Sequence, residues 1–416
     1  MKNVLIIRYG DVTLKGKNKK SFIDRLVEHI KKRLHSYPIT YHHAHNRLYL
    51  TIQPGDYTAI KKDLQTVPGI HSFSLAQQTT LEENAILAAA NDEIASYPKP
   101  LSFKVKTKRA DKNFPIPSMV FSRKIAGHLL INHPDLTVDV HHPDCLLEIE
   151  IRPDKALIFS RKIAALGGFP SGTLGRGYLL LSGGIDSPVA GFLAMKQGIE
   201  IEAYHFHSTP LTSIESVQKV IDISKQLARF SPKHQLTLHL ISFTEMHQAI
   251  LNTVPEPYHI TIMRRMMLRF LETAAERNHV PAIITGESVG QVASQTLESM
   301  KVINAVTNRP ILRPLTTYDK QQIIELARTI DTYSIAIRPF EDCCSIYVPK
   351  HPTTDPRVFY ALRYERLFDY QSLLKTMAQS MHTLIIKPES QLDLPGLGFT
   401  VEEALKGGNH DYQRGQ

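Results

Sequence analysis

"LLLSGGIDSPVAGFLAMKQG", Leu179 to Gly198, is an apolar strand that runs into Ser-Gly-Gly and then into a helix opening at Asp186 and Ser187. With no β-carbon in the way, Gly183 and Gly184 let backbone N–H groups close on an anion. The hydroxyls of Ser182 and Ser187 stand beside them, with a helix N-terminus behind. Asp186 repels an anion directly, so its natural role in such a loop is to hold a Mg2+ that bridges phosphate oxygens. A Gly-Gly turn is also an ordinary way to join a strand to a helix, so the loop has to be read with its surroundings. The chain contains no G-x-x-x-x-G-K-[ST] and no G-x-G-x-x-G opening a helix, which removes two common nucleotide loops.

Downstream, "IEAYHFHS", "TLHLISF" and "PAIITGES" repeat the pattern of "GYLLLSGG": an apolar strand ending in a polar or glycine-rich loop, then a helical stretch. That alternation predicts a doubly wound parallel sheet, an α/β domain over residues 178–395 whose ligands bind beyond the strands' carboxyl ends. Upstream, the glycine-rich "LGGFPSGTLGRG", residues 166–177, reads as a linker. Residues 1–76 give strand, helix (Ser21 to Tyr37, with Phe22, Leu26, Ile30 and Leu34 on one face), hairpin turning near Asn46, short helix (Asp56 to Gln65) and strand. That order is ferredoxin-like. A second α+β module follows over 77–165, with helices at Leu81 to Tyr97 and Ser118 to Asn132 and strands at 101–109, 136–141, 145–151 and 156–162. Residues 396–416 read as a tail.

A chain of 416 residues with 42% hydrophobic content can form two or three cored domains. Its three cysteines argue against a secreted disulfide framework, and no stretch reaches the roughly 18 to 20 apolar residues needed to span a bilayer. The expectation is a cytoplasmic protein with reduced thiols and no membrane partner. The net charge of +9 is uneven: residues 1–170 hold 25 Lys/Arg against 16 Asp/Glu, and the other 246 hold 24 of each. Such asymmetry suggests that the N-terminal part meets a polyanion. In "LSFKVKTKR" the cations Lys104, Lys106 and Lys108 alternate with apolar residues, and Arg109, Lys112, Arg123 and Lys124 add to them. With Lys15 and Lys17 these are the candidate RNA-binding residues, although a solvated strand face explains the alternation as well.

The loop "SGGIDS" resembles the PP-loop of ATP pyrophosphatases, which cut ATP between its α- and β-phosphates. Three further blocks, "RYGDVTLKGKNKKSF" (8–22), "RRMMLR" (264–269) and "TGESVGQVASQTLESM" (285–300), are similar to those of the tRNA 4-thiouridine synthetase (tRNA sulfurtransferase) family. That family is built as a ferredoxin-like domain, a THUMP RNA-binding domain and a PP-loop domain, and the resemblance runs from about residue 4 to about 395. It implies ATP and Mg2+ as cofactors, with Ser182, Gly183, Gly184, Asp186 and Ser187 on the phosphates and metal. Leu180, Leu181, His205 and Phe206 would border adenine and ribose, and Arg264, Gly286 and Gln295 would make further nucleotide contacts. Asp11 stands where many members have Glu, a change that keeps the charge. The implied partners are tRNA and a cysteine desulfurase, and a homodimer is the assembly to test.

The implied reaction adenylates O4 of a uridine, at position 8, and replaces it with sulfur to give 4-thiouridine. Replacement needs a sulfur nucleophile, and a cysteine persulfide supplies one that is acidic and nucleophilic at neutral pH. "EDCCSIYVP", Glu341 to Pro349, holds the adjacent Cys343 and Cys344. Some family members carry the sulfur on a rhodanese domain, which is not expected here because no cysteine follows Cys344. Cys343 matches the family's PP-loop-domain cysteine, and Cys344 is either a resolving thiol or a spectator. Glu341 and Asp342 would raise a thiol's pKa, so a reactive Cys343 needs a nearby cation that the sequence does not identify. Cys145, in a strand of the second module, reads as a packed small hydrophobe. Two adjacent cysteines lack the spacing of a zinc or iron-sulfur site. The family also supplies sulfur for the thiazole of thiamine in some bacteria, a role that the missing rhodanese region counts against. Two alternatives are a PP-loop ATPase making another tRNA base modification and a non-catalytic RNA-binding protein with a vestigial nucleotide loop. THUMP domains also accompany methyltransferases, but no glycine-rich methyl-donor motif occurs.

Overall fold

The chain divides into two units between Pro170 and Ser171, inside the glycine-rich stretch. The structure, a computed structural model, describes residues 2–44, 47–111, 113–340, 349, 351–394 and 400–406.

Unit 1 begins with β1 (Lys2–Tyr9), α1 (Lys19–Arg33), β2 (Thr40–Ala44), β3 (Arg47–Ile52), α2 (Tyr57–Gln65) and β4 (Ile70–Thr79), the ferredoxin-like order. It continues through α3 (Glu83–Ala95), β5 (Leu101–Arg109), α4 (Ser118–Asn132), β6 (Leu136–Val138), β7 (Cys145–Ile151), β8 (Ala156–Phe159) and β9 (Ile163–Ala164), the second α+β module. On α1, Phe22, Leu26 and Ile30 recur at helical spacing and bury against Leu5, Ile7, Leu48, Leu50 and Phe73 of the sheet. A separate core joins Ile86 and Ala90 of α3 and Phe121 and Ile125 of α4 to Phe103, Leu147 and Ile149. The two modules nevertheless share one sheet, in the order β2-β3-β1-β4-β8-β7-β5-β6 with β9 also on β4. The junction is β4, whose Gln77, Gln78 and Thr79 pair antiparallel with Ile158, Leu157 and Ala156. The first half of the glycine-rich stretch is tied into this unit: Gly69 donates to Gly167 O and Gly167 donates to Ile70 O, both at 2.7 Å.

Unit 2 comprises β10 (Arg176–Leu180), α5 (Asp186–Lys196), β11 (Glu200–His207), α6 (Ile214–Ala228), β12 (Leu236–Ser242), α7 (Thr244–Thr253), α8 (His259–Arg277), β13 (Ala282–Ile284) and α9 (Leu297–Asn304). After them come β14 (Ile311–Leu312), α10 (Lys320–Thr329), α11 (Tyr333–Ala336), α12 (Val358–Glu365), α13 (Tyr370–Gln379), β15 (His382–Ile386) and α14 (Val401–Lys406). The sheet order is β14-β13-β10-β11-β12-β15. Five strands are parallel, with residues buried along much of their length, as expected of a sheet covered on both faces. The chain runs outward from β10 to β12, then returns to the other side of β10 as β13. That reversal opens a crevice beyond the carboxyl ends of β10 and β13, where "SGGIDS" lies.

The parallel sheet expected for this unit is present, and β15 adds antiparallel to β12 and closes that edge. Part of the expected tail is helical: Val401, Ala404 and Leu405 of α14 are buried apolar residues that give it a face to pack. No helix among the described residues is long and apolar enough to cross a membrane.

Candidate active site

Beyond β10 the chain turns sharply and starts α5 at Asp186. The hydroxyls of the loop hold it in shape: Ser187 Oγ accepts from Ser182 N–H at 2.8 Å and lies 3.0 Å from Ser182 Oγ, which accepts from Gly184 N–H at 3.3 Å. Helix α5 lies close on β10 because a β-carbon at Gly191 would stand 2.6 Å from Leu179 Cδ2. The strand end of β13 presses on the loop more closely still. Gly286 packs against the backbone of Asp186 and Ser187, which leaves no room for a side chain there.

Around this loop is a cavity of about 670 Å³, within the size range of small-molecule sites. Leu180, Leu181, Ser182, Gly184, Asp186, Ser187, His205, Phe206, Arg264, Gly286 and Gln295, chosen from sequence as nucleotide contacts, all line it. Gly183 sits between two of them in the chain and is not itself among the lining residues. Its lining combines apolar side chains, Leu180, Phe206, Ile260, Met267 and Phe340, with the loop hydroxyls and the start of α5. His205 Nδ1 lies 3.0 Å from Leu181 O, a pairing in which the ring Nδ1–H donates to the carbonyl. Burial, together with His205 and His382, pushes His207 down to about 3, which keeps its ring neutral at physiological pH.

Sequence reasoning missed several residues here. Lys320 Nζ is 2.6 Å from Asp186 Oδ1. Its place is set by a capping box, Asp319 accepting from Gln322 N–H and Gln322 accepting from Asp319 N–H, which fixes the first turn of α10. Glu287 lies between two arginines: Oε1 is 2.5 Å from Arg264 NH1 and Oε2 is 2.6 Å from Arg313 Nε, with Thr285 Oγ1 donating at 3.0 Å. Burial alone would push its carboxyl up; the two guanidiniums outweigh burial and hold it below the usual range. The group therefore carries a net positive charge, with Arg264 held at the cavity wall. Glu287 was within reach, since it directly follows Gly286 in a block already singled out. Lys219 also lines the cavity, and its only sequence signal is a cation between the buried positions Val217 and Val220 of α6.

The expected cation row behaves differently from its reading as a single strand. β5 pairs in parallel with β7, so Lys106 stands beside Glu148 and Lys108 beside Glu150 on the same face. That face is of mixed sign, a property of the neighbouring strand that alternation within β5 does not reveal. Lys108 Nζ is 3.1 Å from Glu148, Lys124 Nζ is 2.6 Å from Glu83, Lys104 donates to Val140 O at 2.8 Å and Arg109 to Phe114 O at 2.9 Å. Lys15 packs its ammonium over the rings of Phe169 and Phe22, 3.9 and 5.4 Å from their centroids. Lys17, Lys106 and Arg123 are exposed and have no such partner among the described residues. Lys112, Cys343 and Cys344 lie outside the described residues. Cys145 is buried in the core of the second module, and burial raises its thiol pKa.

Comparison with known proteins places these features in context. The family model described as thiamine biosynthesis protein (ThiI) matches residues 172–368, that of the ThiI ferredoxin-like domain matches 4–74, and that of the THUMP domain matches 82–161. A probable tRNA sulfurtransferase of Acholeplasma laidlawii is 47% identical over 406 residues, covering 97% of this chain and 98% of that protein. A probable tRNA sulfurtransferase of Halothermothrix orenii is 47% identical over 401 residues, covering 93% of this chain and all of its own length, 100%. A crystal structure of a 4-thiouridine synthetase–RNA complex with bound ATP superposes with a TM-score of 0.86 at 35% identity, covering 93% of this chain and 100% of that one.

Proposed function

The chain belongs to the ThiI family of tRNA sulfurtransferases, and from that premise we propose that it uses ATP to replace O4 of a tRNA uridine, at position 8, with sulfur, giving 4-thiouridine. The observation that carries this reading is one cavity lined both by apolar side chains suited to a base and by a hydroxyl-rich loop at a helix N-terminus suited to phosphates. O4 attacks the α-phosphorus of ATP; the bond to the β-phosphate oxygen breaks and pyrophosphate leaves. The start of α5, with the hydroxyls of Ser182 and Ser187 beside it, holds the phosphates, while Arg264 and Lys320 offset the charge that develops. Asp186 fits a Mg2+ carried by the triphosphate: a carboxylate beside phosphate oxygens is a usual protein contribution, and this one stands at the start of α5, 2.6 Å from Lys320 Nζ. That ion would neutralise phosphate charge.

Sulfur then arrives as a persulfide on Cys343, donated by a cysteine desulfurase. Its terminal sulfur attacks C4, the C4–O bond breaks and AMP leaves. A thiol, that of Cys344 or an external one, next attacks the Cys343 sulfur, releasing the thiocarbonyl product and leaving a disulfide that a dithiol reduces by two electrons. Two observations support Cys343: Phe340, three positions earlier, lines the cavity, and Cys145 is packed away in the other unit. Reaction on tRNA with reduced thiols suits the cytoplasm.

In unit 1, Lys17, Lys106 and Arg123 are the proposed phosphate contacts. Lys106→Ala and Arg123→Ala should each weaken tRNA binding and flatten the dependence of log affinity on log salt by about 1. Lys15→Ala should instead lower the melting temperature and leave that slope unchanged; a reversed pattern would reassign these residues. The catalytic reading is tested by incubating the protein with tRNA, ATP, Mg2+, cysteine and a cysteine desulfurase. Pyrophosphate release that depends on tRNA, with 4-thiouridine among the digested nucleosides, is the expected result. No release would leave an RNA-binding protein with an idle nucleotide loop, and release without 4-thiouridine would mean another base modification.

A further inference from the structure

Three charged side chains, from α8 and from the segments just beyond β13 and β14, meet at the cavity. Glu287 is 4% exposed and holds two arginines: Arg264 of α8 through Oε1 at 2.5 Å and Arg313 through Oε2 at 2.6 Å. A carboxylate taken out of water needs a counter-ion, and one arginine supplies it. The second leaves the group with one surplus positive charge. Among the described residues neither guanidinium has another carboxylate within ion-pair reach. Arg313 is also tied through NH2 to Asn304 Oδ1 at 2.6 Å, whereas Arg264 Nε is closed off from water with no hydrogen-bond partner among the described residues. Arg264 and Glu287 line the cavity, and Arg313 is not among the lining residues. The outer arginine is spent on Glu287 and Asn304, so the surplus charge belongs to the inner one.

We propose that Arg313, from outside the cavity, sets the positive charge that a nucleotide's phosphates meet there: by neutralising Glu287 it leaves the charge of Arg264 uncancelled. The inference rests on the reading that the cavity holds ATP. Without Arg313 the Arg264–Glu287 pair is neutral, and it offers a phosphate little net attraction even with Arg264 in place. A tie serving stability alone is met by either arginine; what the second adds is charge. Arg313 is thus a positioning residue that acts on the nucleotide through Glu287 and Arg264.

The test is equilibrium titration of the full chain with ATP and with adenosine, each in the presence of Mg2+. The unaltered protein should bind ATP more tightly than adenosine. Arg313→Met should weaken ATP binding by about 10-fold or more, the scale of one charge lost near an anion, and leave adenosine binding within about 2-fold. Adding Glu287→Gln to Arg313→Met restores the surplus charge, so the double variant should recover about 3-fold or more of that loss. A merely structural tie would leave the double variant no better than Arg313→Met. Arg313→Lys, which keeps the charge, should bind ATP within about 3-fold of the unaltered protein, while Arg313→Gln, which keeps only a hydrogen-bond donor, should behave as Arg313→Met does. Unchanged ATP binding in Arg313→Met, an equal fall for ATP and adenosine, or no recovery in the double variant overturns the inference. If Arg313→Met does not fold, the Lys and Gln variants decide, and equal ATP affinity in those two overturns it. If the unaltered protein binds ATP no better than adenosine, the nucleotide reading of the cavity falls and this inference with it.

Discussion

Gly286→Ala should lower tRNA-dependent pyrophosphate release by about 100-fold or more while the protein remains folded. A β-carbon at 286 would stand 2.6 Å from both Cα and N of Ser187 and 2.8 Å from the carbonyl carbon of Asp186. These are backbone atoms at the start of α5, so no side chain can rotate aside to make room. Relief requires the loop or the end of β13 to retreat by about 1 Å, and displacement on that scale at a reacting centre costs about two orders of magnitude. The φ of Gly286 is not in the left-handed region, so the expected loss comes from the close approach alone. Circular dichroism and the melting temperature separate this local effect from unfolding. Activity within about 3-fold of the unaltered protein would show that the approach of β13 does not shape the nucleotide loop.

The second large effect is on stability. Arg265 is 0% exposed and Glu365 2%; Arg265 Nε lies 2.6 Å from Glu365 Oε1, and Arg269 NH2 is 2.8 Å from Oε2. Arg265 NH1 also donates to Val302 O at 2.5 Å, so α8, α9 and α12 meet at one guanidinium. Glu365→Ala leaves that cation buried without its counter-ion, a loss of about 3–5 kcal/mol. At about 2–4 °C per kcal/mol for a domain of this size, the melting temperature of unit 2 should fall by roughly 6–20 °C. The exposed pair Lys32–Glu28 on α1 is a control, since such a helix pair contributes only about 0.3–0.5 kcal/mol. Replacing both partners, Arg265→Met with Glu365→Leu, should recover much of the loss, because the cost lies in the orphaned charge. A fall below about 2 °C for Glu365→Ala would mean that water reaches Arg265. Arg264 is the next residue on α8 and faces the cavity, so the buried pair also fixes the rotation of the helix that presents it.

The parts readable from sequence were those with local causes. Glycines, hydroxyls and a strand-to-helix switch within twenty residues specify the phosphate loop, and helical or alternating periodicity places β5 and α4 on the residues expected, 101–109 and 118–132. What escaped depends on which segments become neighbours. Alternation makes Lys104, Lys106 and Lys108 share a face, but only the pairing of β5 with β7 brings Glu148 and Glu150 onto it. The merging of two modules into one sheet follows from β4 having a free edge for β8, which no property of either strand alone announces. Lys320 and Asp186 are 134 residues apart in the chain, and Lys219 meets carbonyls more than 100 residues away.

The central claim is tested most directly by digesting tRNA after reaction with ATP, Mg2+, cysteine and a cysteine desulfurase, and comparing the unaltered protein with Cys343→Ser by mass spectrometry of the nucleosides. The account predicts 4-thiouridine at up to one residue per tRNA with the unaltered protein and a loss of at least about 100-fold with Cys343→Ser, while tRNA-dependent pyrophosphate release persists. Equal 4-thiouridine from both proteins would contradict it.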